Sequence, residues 1–386
     1  MRTTTSARLK KSAALVAVAS VAALGTTAVP AGATTGPITY TCDTAFTDPF
    51  PLEVDIDSLA GAKVWAGEPV DVVSSTTLAG DLAKLAYDML GARSFNGTIA
   101  ASMTIDNAAS TLVQTIPDTV IPDQTTPTAV PFAATGKVTL STPGDVVLRA
   151  GDFEATINPK DEAGQPTAVP SVAVTCAAPK GPGPVIDTVV VAARSTTALT
   201  LSKTASTYGE RVTATAKVTT TGGSPSGDVS FVVDGLATKA RVNKDGVATL
   251  PITNAKLGSH TVTASFVPSD SIHYEPSTSA PQAWTVGKAG SRIGLAITGK
   301  RTSRATKVAV RVRGEFGTEA TGRVRIRLMK LGTKKRWLKV RTLRGGKTAA
   351  GFGRLAKGRY KVAATYRGDA NHLKSKKVRK FRVRRG

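Results

Sequence analysis

The sequence predicts an all-β chain, and three observations carry that expectation. β-branched Thr and Val recur throughout, and in the second half they alternate with apolar and charged residues at period 2, the pattern of half-buried strands. The 386 residues include 36 Gly and 21 Pro, a turn-rich inventory. Aromatic residues make up only 5%, a profile that sets aside helical bundles, coiled coils and collagen. The length predicts two or three domains, each able to bury its own core.

The chain opens on a basic segment, Arg2, Arg8, Lys10 and Lys11, followed by an apolar run from Ala13 to Leu24. Ala31-Gly32-Ala33 then offers the small–x–small pattern of a signal-peptidase site, so residues 1–33 are expected to be a cleaved export signal. The run is shorter than the roughly 20 residues of a membrane-spanning helix, and no transmembrane segment follows. The expected location is secreted, extracellular or envelope-associated.

Cys42 and Cys176 are the only cysteines. In an exported chain they are expected to pair, closing a loop whose chain entropy is worth roughly 4–5 kcal/mol. Metal ligation or nucleophilic catalysis would need a nearby histidine, yet His260, His273 and His372 all lie beyond residue 250. Within the loop, Leu82, Leu85, Ala86, Met89 and Leu90 fall at helical spacing, with Gly91 placed to end the turn. One short amphipathic helix is expected there.

Charge is segregated along the chain. Residues 34–180 carry 7 basic and 17 acidic side chains, residues 181–287 carry 8 and 7, and residues 288–386 carry 32 and 3. The last segment thus holds the whole excess behind the net charge of +24. Pro179-Lys180-Gly181-Pro182-Gly183-Pro184 reads as a stiff spacer, and Gly287-Lys288-Ala289-Gly290 as a shorter joint. The expected organisation is a first domain over 34–178, a linker over 179–194, and modules over 195–287 and 288–386.

The last two modules repeat one another. Gly227, Val229, Phe231 and Val233 recur as Gly322, Val324, Ile326 and Leu328, and the strand from Gly258 to Phe266 recurs as Gly358 to Tyr366. Asp270 and His273 match Asp369 and His372. Residues 195–386 resemble two copies of the bacterial immunoglobulin-like repeat found in tandem on surface and secreted proteins, through these stretches and Gly246-Val247-Ala248-Thr249. That resemblance implies β-sandwiches acting as spacers or binding modules, with no catalytic residues. Residues 38–178 resemble a cysteine-bounded β-sandwich of unknown function in exported proteins of high-GC Gram-positive bacteria. Tyr40-Thr41-Cys42, the Leu78 to Gly91 segment, Ile157-Asn158-Pro159-Lys160 and Ala173-Val174-Thr175-Cys176 carry it. Together the two imply three immunoglobulin-like sandwiches in series, the first with one short helix.

The candidate site lies in the basic module. Arg311 and Arg313 interleave with Val310 and Val312, and Arg323, Arg325 and Arg327 with Val324, Ile326 and Leu328. In strands such sets face opposite ways, so each strand is expected to bury an aliphatic row and expose a cationic one, giving a broad positive face. Lys334, Lys335, Arg336, Lys376, Lys377, Arg379, Lys380, Arg382, Arg384 and Arg385 extend it. Anionic wall polymers or other polyanions are the expected partners. Specific nucleic-acid binding would want free aromatics among the cations, and only Trp337 is placed for that.

Other motifs are weaker. Arg367-Gly368-Asp369 spells an integrin-type tripeptide, but the repeat accounts for its Asp. Asp43, Asp48, Glu53, Asp55 and Asp57 lack the glycine and distal glutamate of a calcium loop. There is no Gly-x-Ser-x-Gly elbow and no plausible base. The expectation is an exported, non-enzymatic, envelope-associated binding or structural protein without cofactor or metal, anchored by its cationic module. The alternative is a freely secreted adhesin-like or ligand-binding protein with its site on the first domain. The acidic first and basic third modules are also complementary enough to meet, within or between chains.

Overall fold

The computed structural model describes residues 36–58 and 63–386, so the expected export signal lies outside the described residues. Among the described residues the chain is all-β with one short helix. The first unit comprises β1 (Ile38–Thr44), β2 (Thr47–Ser58), β3 (Val64–Trp65), β4 (Pro69–Leu78), the helix α1 (Gly80–Met89), β5 (Ser94–Ile105), β6 (Ala108–Val120), β7 (Val130–Thr139), β8 (Gly144–Lys160), β9 (Val172–Ala177) and β10 (Val185–Ala192). The strands run in the order β3-β10-β8-β5-β6-β7-β4-β2-β1-β9, and β9 also pairs with β8.

That last pairing joins the layers of the sandwich into a ring of eight antiparallel strands. The 17-residue length of β8 makes it possible. One edge of β8 pairs with β5, while the other is shared between β10 near Val146 to Arg149 and β9 from Phe153 to Ile157. Cys42 and Cys176 stand directly opposite on β1 and β9 and form the disulfide at this seam. Inside the ring Tyr40 meets Phe153 edge-on at 4.9 Å, and Phe95 meets Phe132 at 5.3 Å.

Residues 185–192, expected within the linker, are instead strand β10. Ile186, Val189 and Val191 are buried there, and a Val-rich run suits a pleated, covered surface better than a spacer. Only the Pro/Gly stretch before it remains irregular. Close approach governs Gly97 on β5, where an added Cβ would stand 2.2 Å from the Thr156 carbonyl oxygen of β8. Gly97→Ala is expected to cost about 1–3 kcal/mol by forcing that ladder apart. Chemical denaturation checks it, and an unchanged midpoint would show that the ring is slack at this point.

The second unit contains β11 (Ser195–Leu201), β12 (Ala205–Thr207), β13 (Val212–Thr220), β14 (Gly227–Val233), β15 (Leu236–Arg241), β16 (Val247–Ile252), β17 (Gly258–Pro268), β18 (Ser277–Thr278) and β19 (Gln282–Gly287). Sheet β11-β13-β16 faces sheet β12-β19-β17-β14-β15. The third contains β20 (Ser291–Thr298), β21 (Ala305–Gly314), β22 (Arg323–Lys330), β23 (Arg336–Thr342), β24 (Lys347–Arg354), β25 (Gly358–Tyr366) and β26 (Ser375–Val383). Its sheets, β20-β21-β24 and β23-β22-β25-β26, repeat that connectivity. The repeat extends to single contacts. His260 Nε2 lies 2.6 Å from the Lys256 carbonyl and its ring stacks on Trp284, while the matching Tyr360 hydroxyl donates to the Ala356 carbonyl at 2.8 Å and stacks on Phe381.

The repeated Asp-x-x-His turns sit where successive units meet. His273 lies 2.7 Å from Asp270 and 3.1 Å from Asp145 of the first unit, and the Ala193 N–H donates to its carbonyl. At the second joint the pairing falls one residue earlier in the turn: Ala289 bridges His372 and its N–H donates to the Asn371 carbonyl, while the His372 ring meets Tyr208 of the second unit at 5.7 Å. Arg194 adds an ion pair to Glu68 at 2.9 Å across the first joint. Among the described residues no hydrogen bond or ion pair links the first unit to the third.

His273 faces two carboxylates, and His260 faces Asp234 and a carbonyl. All four partners are acceptors, so both ring nitrogens must donate and each imidazole is satisfied only when protonated. Burial pulls both imidazoles down, but their acceptors together, Asp234 and the Lys256 carbonyl at His260 and Asp270 and Asp145 at His273, outweigh it and leave them above the ordinary value. Their contribution is full below about pH 6.5 and is lost as pH rises through the raised folded values. Asp234 and Asp270 are held low chiefly by their histidines, and their contribution is lost as pH falls below about 4. The second unit is therefore expected to be most stable between these limits. Calorimetry from about pH 5.5 to about pH 8.5 should show its midpoint falling, with His273→Gln flattening the trend; a flat profile for the unaltered chain would contradict the assignment.

Candidate polyanion interface

In the third unit β21 buries Val308, Val310 and Val312 and exposes Lys307, Arg311 and Arg313. β22 buries Val324, Ile326 and Leu328, leaving Arg323 and Arg327 exposed and Arg325 half-buried. These strands belong to different sheets of one sandwich, so their cationic rows lie on its two opposite outer surfaces. The single broad face expected from the alternation is therefore divided in two, because the aliphatic rows of both strands turn toward one shared core.

Cross-strand register defines the larger surface, on β23-β22-β25-β26. Residues directly opposed in a ladder share a face. Val340, Arg325, Thr365 and Lys376 form one row, Leu338, Arg327, Ala363 and Val378 the next, and Arg336, Met329, Lys361 and Lys380 a third. Arg359 and Arg382 oppose each other beyond them. The smaller surface brings Arg313 opposite Arg292, and Arg311 opposite Lys347. Exposed Leu338, Val340 and Val378 lie among the cations of the larger face.

The other candidates are placed differently. Lys334 and Lys335 sit exposed in the β22–β23 turn. Lys377 and Arg379 alternate to the inward side of β26, where Arg379 donates to the Leu295 carbonyl at 3.0 Å across the open edge of the sandwich. They do not join the outer face. Arg384 follows the strand end, its N–H donating to the Lys300 carbonyl, and Arg385 is exposed beyond it. Trp337 is not free to stack on a base. It stands opposite Leu328 on the inner side of the sheet, packs on the core and lies 6.3 Å from Tyr360.

Electrostatically the larger face sets no acid against its cations among the described residues, and on the smaller face only Glu319, opposite Arg313, does so. Among the described residues no lysine or arginine beyond residue 287 forms an ion pair. Four ladder positions set like charges directly opposite: Arg292 with Arg313, Arg311 with Lys347, Arg359 with Arg382, and Lys361 with Lys380. Such pairs destabilise a sheet. Of the module's three acids, Asp369 is consumed structurally. Burial pushes its carboxyl up, but the N–H groups of Thr321, Asn371 and His372 hold it well below the usual carboxylate range. Turned inward in this way, it does not display the Arg-Gly-Asp tripeptide. In the first unit Asp43, Asp48, Glu53, Asp55 and Asp57 are all exposed on the outer side of β1 and β2.

Residues 199–287 match the bacterial Ig-like domain (group 3), and residues 39–187 match a family of unknown function (DUF6801). The chain thus carries a bacterial Ig-like domain behind a domain whose family has no assigned activity. No curated protein matches the sequence. Among solved structures, a membrane-anchored protein from Corynebacterium diphtheriae is 13% identical, over 91% of this chain and 96% of that one, with a TM-score of 0.29. Fibronectin(III)-like modules of CbhA from Clostridium thermocellum are 18% identical over 60% of this chain and 92% of that one, at 0.21. A bacterial ice-binding adhesin of 1.5 MDa, in a study of its retention on the host cell surface, is 12% identical over 86% and 97%, at 0.26. Likenesses this distant carry no functional argument. No helix among the described residues is long and apolar enough to cross a membrane.

Proposed function

We propose that this is an exported, non-enzymatic protein of the cell envelope, held to anionic wall polymers by the two cationic faces of its third module. The chain divides in this reading into a disulfide-closed first domain, a near-neutral Ig-like spacer and a cationic Ig-like anchor. The observation that carries it is the set of directly opposed like charges, none of which forms an ion pair among the described residues, with Glu319 opposite Arg313 the one acid set against them. A solubilising surface would intersperse both signs, whereas a polyanion relieves the repulsion that these ladders tolerate. Contacts spread over two faces suit a flexible polymer better than a compact ligand.

Binding of this kind releases counterions, so the logarithm of affinity falls linearly with the logarithm of salt concentration. Titration of the mature chain with a soluble poly(glycerol phosphate) at several salt concentrations is expected to give a steep negative slope. An affinity indifferent to salt would overturn the reading.

A further inference from the structure

The eight-stranded ring of the first unit encloses a cavity of about 200 Å³. A ring of eight strands has an interior that is either filled by its own side chains or able to hold one small ligand. Here Phe95, Ile116, Phe132 and Phe153 form walls, and among the described residues no charged side chain lines the space. The apolar helix residues Leu82, Leu85, Ala86, Met89 and Leu90, which periodicity assigns to a packed core, all line it instead. Only Ala83 of α1 is fully buried.

We infer that this cavity binds a single uncharged hydrocarbon chain carrying one hydroxyl or ester oxygen, such as a fatty alcohol. An apolar cavity of about 150 Å³ already stays dry and takes up a benzene-sized group, whereas drug-sized ligands need about 300 Å³ or more. The size therefore fits part of one chain. The buried polar groups agree. Ser74 donates to Gln114 Oε1 at 2.8 Å, and Gln114 Nε2 donates to the Val72 and Ala134 carbonyls at 3.3 Å each, so this pair is satisfied within the protein. Tyr40 differs: it lines the cavity at 1% exposure, and its hydroxyl makes no hydrogen bond with any described residue. Burial, with the nearby Asp152 carboxylate, pushes that phenol up to about 12. It stays a neutral donor, suited to a hydroxyl or ester oxygen rather than to an anion.

The entrance is marked by lining residues that also face solvent. Met89 at the end of α1 is 71% exposed, and Phe46 in the β1–β2 turn is 47% exposed. Two large apolar side chains at one mouth give a chain an apolar path from water into the ring. This site is independent of the cationic faces.

The test is calorimetric titration of the mature, oxidised chain with n-dodecanol, with benzene as control, alongside thermal melting. One dodecanol per chain, a negative heat-capacity change and a rise of roughly 5 °C in the first unit's midpoint are expected. Met89→Glu places a charge at the exposed mouth and should weaken binding at least tenfold while leaving the alcohol-free midpoint unchanged. Tyr40→Phe keeps the shape and should weaken binding about fivefold by losing one hydrogen bond. Absence of dodecanol binding would overturn the inference. So would binding that neither substitution alters, or saturation by benzene but not by the chain.

Discussion

Exchanging Arg323, Arg325 and Arg327 together for Glu is expected to weaken binding to an anionic envelope polymer by roughly 10²-fold at low salt. The three side chains lie on the outer face of β22, Arg323 and Arg327 exposed and Arg325 half-buried. Exposed substitutions away from packing rarely change stability by more than about 0.5 kcal/mol each. Here the sign should be favourable at low salt, because the new carboxylates meet a surface with an excess of cations. Loss of binding with a retained or raised melting midpoint is therefore the expected pair of results, read by polymer titration and calorimetry on the same variant. Exchanging Arg311 and Arg313 on the opposite face should have a smaller effect, since fewer cations surround them. Equal binding by the triple variant and the unaltered chain would remove the larger face from the proposal.

The second large effect is expected in the first unit. Removing the Cys42–Cys176 link, by reduction or by paired exchange to Ser, should cost about 4 kcal/mol through the chain entropy of a long closed loop. The bridge has a sequence separation of 134 and lies at the seam where β1 and β9 complete the ring. Calorimetry with and without reductant should show one transition moving down while the transitions of the second and third units stay fixed. A common shift of all transitions would mean that the units unfold together, and no shift would mean that the strand pairing alone holds the seam.

Much of the fold was legible because its signals are local. Alternation at Val308, Val310 and Val312, or at Val324, Ile326 and Leu328, places each residue on a buried side without knowledge of its neighbours. The helix around Leu82 to Leu90 was legible for the same reason, and Gly91, at φ +64°, ends it in the left-handed region. Ring closure was not legible, because it depends on which strand shares an edge of β8, a non-local choice that no periodicity records. The cavity follows from that closure, so its lining read as ordinary core. β10 was missed because a Pro/Gly spacer immediately precedes it and drew the end of the first domain too early.

The candidate interface shows the same division. The identity and exposure of the cations followed from alternation, but their distribution did not, because adjacent strands in sequence can enter opposite sheets. Lys377 and Arg379 turn inward through the alternation of β26 itself, standing opposite buried Ala364 and Val362 of β25 at an open edge. The histidines were matched correctly as repeat positions, yet their joint-forming contacts with Asp145 and Tyr208 needed the arrangement of whole units.

The central claim is that the third module anchors the protein electrostatically. Its most direct test compares retention of the mature chain on isolated anionic Gram-positive envelopes with that of a chain ending at residue 287, from about 50 mM to about 1 M salt. Retention of the full chain alone, stripped progressively by salt, is the result expected. Equal retention of both chains with little response to salt would contradict the claim and move recognition to the first two units.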